Sequence, residues 1–150
     1  MNGIEWRYLA FDALTAPQLY AVLQLRSEVF VVEQACIFQD MDGADAQAMH
    51  LLGSQQGALV AYARCFAAGI KFAEASIGRI VTRSSLRGSG AGHALVEKAI
   101  DCLSPPSAGQ VIRIGAQARL EGFYRQHGFV KDGPVYLEDG IAHIEMQRSV

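Results

Sequence analysis

Apolar residues recur three and four positions apart in two long stretches of the chain, as they do in amphipathic helices. The first stretch, residues 19–30, follows a helix start with Thr15 as the N-cap and Pro17 in the first turn. The second, residues 91–103, is the clearest helix, because its charged residues lie away from one apolar face. Two prolines follow and end it, and a shorter helix is predicted for residues 118–127.

Strands are predicted where short apolar runs alternate or lie between turn residues. They are expected over residues 4–9, 49–52, 59–66, 73–82, 111–115, 135–138 and 143–147. Asp139-Gly140 is a hairpin turn between the last two strands. The order of strand, helix, several strands, helix, strand, helix and two strands predicts an α/β (α+β) mixed sheet with helices on both faces. A chain of 150 residues fits one domain, residues 1–150.

Composition and charge narrow the class of function. The chain is 51% hydrophobic and 19% charged, as expected for a globular protein. A net charge of −2 gives no bulk electrostatic reason to bind nucleic acid or an anionic membrane. No apolar run approaches the roughly 20 residues of a membrane helix, and the N-terminus has no signal-peptide core. Three cysteines without metal-like spacing suggest a reducing compartment, so we expect a cytoplasmic protein without a metal site.

A glycine-rich loop between the strand that ends at Thr82 and the second long helix carries the sharpest chemical signal. Its residues are Arg87, Gly88, Ser89, Gly90, Ala91 and Gly92. Glycines let the backbone approach a ligand and take positive φ angles, and free N–H groups at a helix start favour an anion. With the charge of Arg87, the loop is predicted to hold a pyrophosphate; a simple chain reversal is the alternative. The loop lacks the Lys-Ser/Thr of a mononucleotide P-loop and the glycine spacing of a Rossmann fold.

The motif Arg87-x-x-Gly90-x-Gly92 resembles the Arg/Gln-x-x-Gly-x-Gly/Ala signature of the GNAT acyltransferases. Two further segments resemble that family's fourth strand and its aromatic-Tyr-x-x-x-Gly-Phe signature: residues 78–82 and 123–129. Three segments resemble its ElaA-like branch more closely: residues 26–34, 116–118 and 138–144. Because these segments follow one another in the family's order, the resemblance extends over nearly the whole chain.

The resemblance implies an N-acetyltransferase that carries an acetyl group from acetyl-CoA to a primary amine, with a small molecule as the expected acceptor and a protein amine as the alternative. It implies a mostly antiparallel sheet whose two central parallel strands splay apart, with the pyrophosphate on residues 87–92. The backbone of Ile80 and Thr82 would pair with the pantetheine amides, and a backbone N–H near Val81 or Thr82 would stabilise the oxyanion. Gln117 stands where many members have Asn, so a changed pantetheine contact is expected there.

Acetyl transfer needs a group that takes a proton from the amine and a group that gives one to the thiolate. The resemblance implies Tyr124 as the acid, and an aromatic core residue is the alternative. Glu33 and His143 are the candidate bases, with a solvated helix-terminal carboxylate and a packed strand histidine as their alternatives. A non-catalytic CoA-binding sensor on the same fold and a nucleotide-binding module of another fold are the competing functions.

Two charged clusters and one histidine complete the candidate chemistry. The acidic cluster is predicted to be a solvated loop, with attraction of a cationic substrate as its alternative: Asp40, Asp42 and Asp45. The basic cluster suits the phosphates of CoA: Arg79, Arg83 and Arg87. His50 is expected to have a half-buried structural role. Late strands with exposed edges leave a homodimer open.

Overall fold

A computed structural model describes residues 3–104 and 109–149. The strands are β1 (Glu5–Ala10), β2 (Met49–Gln55), β3 (Ala58–Phe66), β4 (Ala75–Thr82), β5 (Ile112–Gln117), β6 (Val130–Lys131), β7 (Tyr136–Glu138) and β8 (Ile141–Arg148). The helices are α1 (Ala16–Arg26), α2 (Ala91–Leu103) and α3 (Glu121–Arg125). Pro105 and Pro106, the predicted stop signal of α2, lie outside the described residues. None of the helices described here is long and apolar enough to span a membrane.

The eight strands form one sheet in the order β1-β2-β3-β4-β5-β8, and both β6 and β7 pair with β8. All neighbouring strands are antiparallel except β4 and β5, which are parallel. These two pair only where Ala75 faces Ile112 and Ser76 faces Arg113, so they separate beyond Ser76. The structure therefore confirms the predicted mixed sheet with splayed central strands.

The sheet is covered on both faces, as predicted. Helix α1 packs on one face, over a core of Val22, Leu25, Val29, Leu52, Leu59, Tyr62 and Val81. Helix α2 packs on the other, over a larger core that includes Leu95, Ala99, Ala63, Cys65, Ile114 and Ile144. Because successive strand residues point to opposite faces, Tyr62 of β3 belongs to the first core and its neighbour Ala63 to the second.

The first helix begins after Thr15, as predicted, but its α-helical part ends at Arg26, before the predicted end near Phe30. Thr15 caps it as expected, since its hydroxyl accepts from the Gln18 N–H and the Gln18 side chain accepts from the Thr15 N–H. After Arg26 the chain continues as a π-helical segment, Ser27–Glu33. This segment contains three β-branched valines, which fit a regular α-helix less well than unbranched residues.

Two smaller differences lie near the C-terminus. The helix predicted over residues 118–127 is a 3₁₀ turn, Ala118–Leu120, followed by the short α3. Gly128 then takes the left-handed conformation with φ +89°, as a residue after a helix end often does. The two-residue strand β6 was not predicted, because so short an element has no periodicity of its own.

Candidate active site

The separation of β4 from β5 opens a cavity of about 520 Å³, a size typical of small-molecule sites. The π-helical segment, β3, β4, β5, α3 and the β7–β8 hairpin all contribute to its wall. Nine of the predicted site residues line it: Glu33, Ile80, Val81, Thr82, Arg87, Gly92, Gln117, Tyr124 and His143. The fold thus brings the candidate acid and both candidate bases to one cavity, while their roles stay predictions.

The remaining predicted residues belong to the glycine loop at the edge of this cavity. Gly88, Ser89 and Gly90 are exposed, whereas Ala91 is fully buried at the start of α2. Gly88 has φ +81° and Gly90 has φ +88°, in the left-handed region that favours glycine. A Cβ at either position would meet no atom within 4 Å, so backbone conformation, not lack of space, favours glycine there.

The loop offers backbone donors to a ligand. Within the described part of the chain, the N–H groups of Gly88, Gly90, Gly92 and His93 have no acceptor; that of Ala91 has none either, but Ala91 is fully buried. The N–H of Ser89 is already used, because it donates to the Leu86 oxygen at 3.2 Å. Four available donors at the start of a 13-residue helix, where the helix dipole favours negative charge, suit a phosphate group.

Arg87 and Glu33 form an ion pair across the cavity wall. Nη2 of Arg87 lies 2.5 Å from Oε2 of Glu33, and both side chains are partly exposed. The pair connects the end of the π-helical segment to the glycine loop. Arg87, the residue predicted to bind phosphate, is therefore paired with Glu33, one of the two candidate bases.

His143 is held by its own hairpin. Nδ1 lies 2.7 Å from the backbone oxygen of Ile141, which can only accept, so Nδ1 carries a proton and donates it. In the neutral ring Nε2 then has the lone pair, and it lies 3.6 Å from Oε2 of Glu138. The ring packs beside that of Tyr136 with centroids 5.8 Å apart, and the residue is only 7% exposed.

Tyr124 is buried between two phenylalanines and borders the cavity. Its ring meets those of Phe123 and Phe129 edge to face, and the residue is 6% exposed. Burial raises the pKa of Tyr124 to about 12, which keeps the phenol protonated. A phenol with this pKa is a good hydrogen-bond donor to a thiolate, but it is a weaker acid than an ordinary tyrosine.

The carboxylates of the acidic loop are paired with arginines and are not free in solvent, so the sequence prediction was wrong for them, although residues 41–43 are exposed. Its three carboxylates bind three arginines: Asp40 pairs with Arg26 and Arg79, Asp42 with Arg64, and Asp45 with Arg26 and Arg64, all at 2.8–2.9 Å. The Arg26 and Arg64 side chains are 0% and 2% exposed. Because arginines neutralise these carboxylates, the attraction of a cationic substrate by this loop is not supported either.

The predicted basic cluster is also dispersed. A β-bulge places Arg79 and Ile80 opposite the single residue Ala63, and Arg79 takes φ +49°. Its guanidinium binds Asp40, while that of Arg83 donates to the backbone oxygen of Leu59. Arg87 alone of the three remains beside the glycine loop.

His50 has a structural role, as expected, but it is fully buried and not half-buried. Its Nε2 donates to the Asp45 oxygen at 2.9 Å, and its Nδ1 accepts from the Tyr62 hydroxyl at 2.6 Å. Burial lowers the pKa of His50 below its ordinary value. Gln117 faces the cavity, where its amide lies 3.4 Å from the Gln34 side chain and 3.1 Å from Nε of Arg119.

Sequence reasoning missed Arg26, Arg64 and Glu138. The two arginines lie within apolar stretches of α1 and β3, and a charged residue in such a stretch is the signal that indicates a buried ion pair. Glu138 comes directly before the predicted hairpin turn and five residues before His143. Nothing in that spacing reveals that the hairpin brings the two side chains together.

Comparison with known proteins agrees with this geometry. The sequence model of the acetyltransferase (GNAT) domain family matches residues 17–150. The protein ElaA of Escherichia coli strain K12 is 42% identical over 149 residues, which cover 98% of this chain and 97% of ElaA. A crystal structure of an acyl-CoA N-acyltransferase from Pseudomonas aeruginosa has a TM-score of 0.91 and 40% identity, covering 97% of this chain and 99% of that one. For the crystal structure of E. coli ElaA the values are 0.90 and 41%, with the same coverage.

Proposed function

The chain belongs to the acetyltransferase (GNAT) family, whose members transfer an acyl group from CoA to an acceptor, and we propose that it transfers acetyl from acetyl-CoA to a primary amine. The cavity at the splay of β4 and β5 carries this proposal, since its wall includes Arg87 and Gly92 of the glycine loop together with Tyr124 and His143. The family assignment argues against a nucleotide-binding module of another fold.

The cofactor end of the cavity suits CoA. We expect the pyrophosphate to accept from the N–H groups of the glycine loop and from Arg87. Beyond Ser76, β4 has no ladder with β5, so the edge at Ile80, Val81 and Thr82 is not occupied by that neighbour. We propose that the pantetheine amides pair with Ile80 and Thr82, and that a backbone N–H near Val81 or Thr82 stabilises the oxyanion. Gln117 on β5 would contact the same arm.

The acceptor end suits the proton transfers of the reaction. An alkylammonium ion must lose a proton before its nitrogen can attack the thioester carbonyl. In its neutral form, His143 has a lone pair at Nε2, whereas Glu33 is paired with Arg87. We propose that Tyr124 donates a hydrogen bond to the departing sulfur, because its burial keeps the hydroxyl protonated.

Release of free CoA from acetyl-CoA tests the proposal across polyamines, amino sugars, amino acids and peptides. Saturable release that depends on the amine supports the transferase. Binding of acetyl-CoA without release by any amine contradicts it and favours the alternative, a non-catalytic CoA-binding sensor. Acyl-CoAs of longer chain, run beside acetyl-CoA, test the acetyl preference.

Substitution of the proposed acid separates catalysis from binding. Tyr124→Phe is expected to lower kcat about a hundredfold, the usual effect of removing one transition-state donor, and to leave the Kd of CoA unchanged. Calorimetry gives the Kd and CoA release gives kcat. An unchanged kcat would contradict the role of Tyr124.

We propose a single domain over residues 1–150, a small-molecule amine acceptor, and no nucleic-acid, membrane or metal partner. All three cysteines are unpaired, as in proteins of reducing compartments, which supports a cytoplasmic location. Sedimentation of the purified chain tests whether it forms a homodimer.

A further inference from the structure

We propose that Glu138 and His143 together receive the ammonium group of the acceptor, so that the preferred acceptors are amines that are cationic at neutral pH. This inference rests on the proposed function and assigns a substrate class to its site. Both side chains line the cavity, and Oε2 of Glu138 lies 3.6 Å from Nε2 of His143. Glu138 has no other charged partner within 4.0 Å among the described residues.

The orientation of His143 makes it ready to accept a proton. The hydrogen bond from Nδ1 to the Ile141 oxygen fixes which nitrogen is protonated, and β8 holds the residue between Gln117 of β5 and Tyr136 of β7. Within the described residues Nε2 makes no hydrogen bond, although His143 is more than nine-tenths buried. Nε2 itself is not sealed from solvent, and an accessible acceptor at the wall of a cavity, without a hydrogen bond from a described residue, is suited to a polar group of a ligand.

Glu138 supplies the charge that a cation needs. It ends β7 opposite Ile141, so the hairpin fixes its backbone, while its side chain is 54% exposed and can move towards a ligand. Two acceptors 3.6 Å apart can both contact one ammonium nitrogen, because each N–H···O or N–H···N contact needs about 2.9 Å. Primary ammonium groups carry three donors, and two of them would be satisfied here.

The other charged groups at the cavity wall do not offer an equivalent pair. Glu33 is neutralised by Arg87, and Arg64 and Arg79 are bound by the aspartates of the acidic loop. Lys71 and Arg119 are cationic and would repel an ammonium ion. Asp139 lies beside Glu138, but no described histidine is within 4.0 Å of it.

The proton transfer balances without another reactant. One N–H bond of the bound alkylammonium ion breaks, its electron pair stays on nitrogen, and the proton forms a bond with the lone pair at Nε2. The amine nitrogen then forms a bond with the thioester carbonyl carbon, and the C–S bond breaks as the tetrahedral intermediate collapses. The nitrogen loses a second proton and the departing CoA thiolate gains one. The Ile141 oxygen and the Glu138 carboxylate stabilise the imidazolium ion from its two sides.

Matched substrates and matched variants test the assignment. We would compare the best cationic acceptor of the amine panel with aniline, which is neutral at neutral pH. Glu138→Gln is expected to raise the KM of the cationic amine about tenfold, the effect of losing one charged hydrogen bond at a half-exposed position. It should leave the KM of aniline and the Kd of CoA unchanged. Added salt should raise the wild-type KM for the cation more than that of the variant.

Three further variants complete the experiment. Glu121→Gln removes the same charge from α3, outside the cavity wall, and should leave the KM of the cationic amine at the wild-type value. Glu138→Asp should recover part of the loss in KM, which a merely structural role would not predict. His143→Gln should lower kcat about a hundredfold or more, because it removes the base.

The outcomes separate this inference from the proposed function. If the wild type releases no CoA with any amine, the proposed function fails and this inference fails with it. If the wild type is active but Glu138→Gln keeps its KM for the cationic amine, the inference alone is overturned. An equal rise in KM for aniline would also overturn it, since charge recognition would then play no part.

Discussion

Two loops border the cavity, and they are built in opposite ways. The glycine loop, residues 87–92, has positive φ angles at Gly88 and Gly90 and backbone donors that no described residue uses. The acidic loop, residues 38–45, has its three carboxylates bound by two buried arginines, from α1 and β3, and by the partly exposed Arg79 of β4. The first loop is therefore available to a ligand, whereas the second is part of the scaffold that holds the cavity wall in place.

The difference follows from how far apart the interacting residues lie in the chain. In the glycine loop, the backbone conformation and the free N–H groups depend on residues that are neighbours in the sequence. The ion pairs of the acidic loop connect residues 14, 19, 22 and 39 positions apart. Buried carboxylates and guanidinium groups cannot remain unpaired without a large desolvation penalty, so these distant segments must meet.

The largest effect is expected from removing one of the buried arginines. Arg64→Ala leaves Asp42 without its bidentate partner and should lower the free energy of unfolding by about 3–5 kcal/mol. Arg83→Ala is the matched control, because among the described residues Arg83 donates to the Leu59 oxygen alone. This substitution should lower the free energy of unfolding by about 1 kcal/mol. Urea denaturation measures both, and equal losses would contradict the scaffold role of the acidic loop.

Acid should weaken the same loop before the glycine loop is affected. Hydrogen bonds from Arg64 hold the pKa of Asp42 well below its ordinary value of 3.8, and Arg26 helps to lower that of Asp45. Carboxylates with lowered pKa values stabilise the folded state above the unfolded pKa and lose this contribution as the pH falls.

His50 acts in the same direction but at higher pH. Burial lowers its pKa from 6.5, so its contribution is present above pH 6.5 and declines as the pH falls. We therefore expect the melting temperature to fall first below pH 6.5 and more steeply below pH 4. The total decrease in melting temperature should be smaller than the decrease that Arg64→Ala causes. Calorimetry from pH 8 to pH 3 measures this; a constant melting temperature would contradict it.

A smaller effect is expected from adding a side chain to the glycine loop. Gly90→Ala forces alanine into φ +88° and should lower the free energy of unfolding by about 1–2 kcal/mol. Gly92→Ala is the control for stability, since its φ is ordinary and the new Cβ would lie 3.6 Å from the Phe123 ring. Denaturation curves measure the stability of the two variants, and calorimetry measures their Kd for CoA. Equal stability of Gly90→Ala and the wild type would show that the loop tolerates another conformation.

The smallest effect is expected where the glycine loop meets the π-helical segment. Glu33→Gln releases Arg87 and should tighten CoA binding by at most about fivefold, since partly exposed ion pairs contribute less than about 1 kcal/mol. We expect kcat to change little, because His143 and not Glu33 takes the proton. A hundredfold loss of kcat in Glu33→Gln would instead identify Glu33 as the base.

Sequence reasoning succeeded where the signal was local. The bounds of α2, the cap at Thr15 and the position of the glycine loop were all predicted correctly. It failed for the acidic and basic clusters, because charge along the chain does not indicate which groups will be buried together. Placing Glu33, Tyr124 and His143 in one cavity required the fold. The sequence analysis had named all three as candidates, Tyr124 from the family resemblance and the other two from the chemistry that the reaction requires.

By itself, the sequence determined the order of helices and strands, the turn-forming glycines and a helix start suited to an anion. These features depend on side-chain periodicity and backbone preference within a few residues. Only the tertiary structure decided which carboxylates are neutralised and which face the cavity. Arg87 binds Glu33, three arginines bind the acidic loop, and the hairpin brings Glu138 to His143. Pairing of charges depends on distance in space, and folding sets that distance independently of separation along the chain.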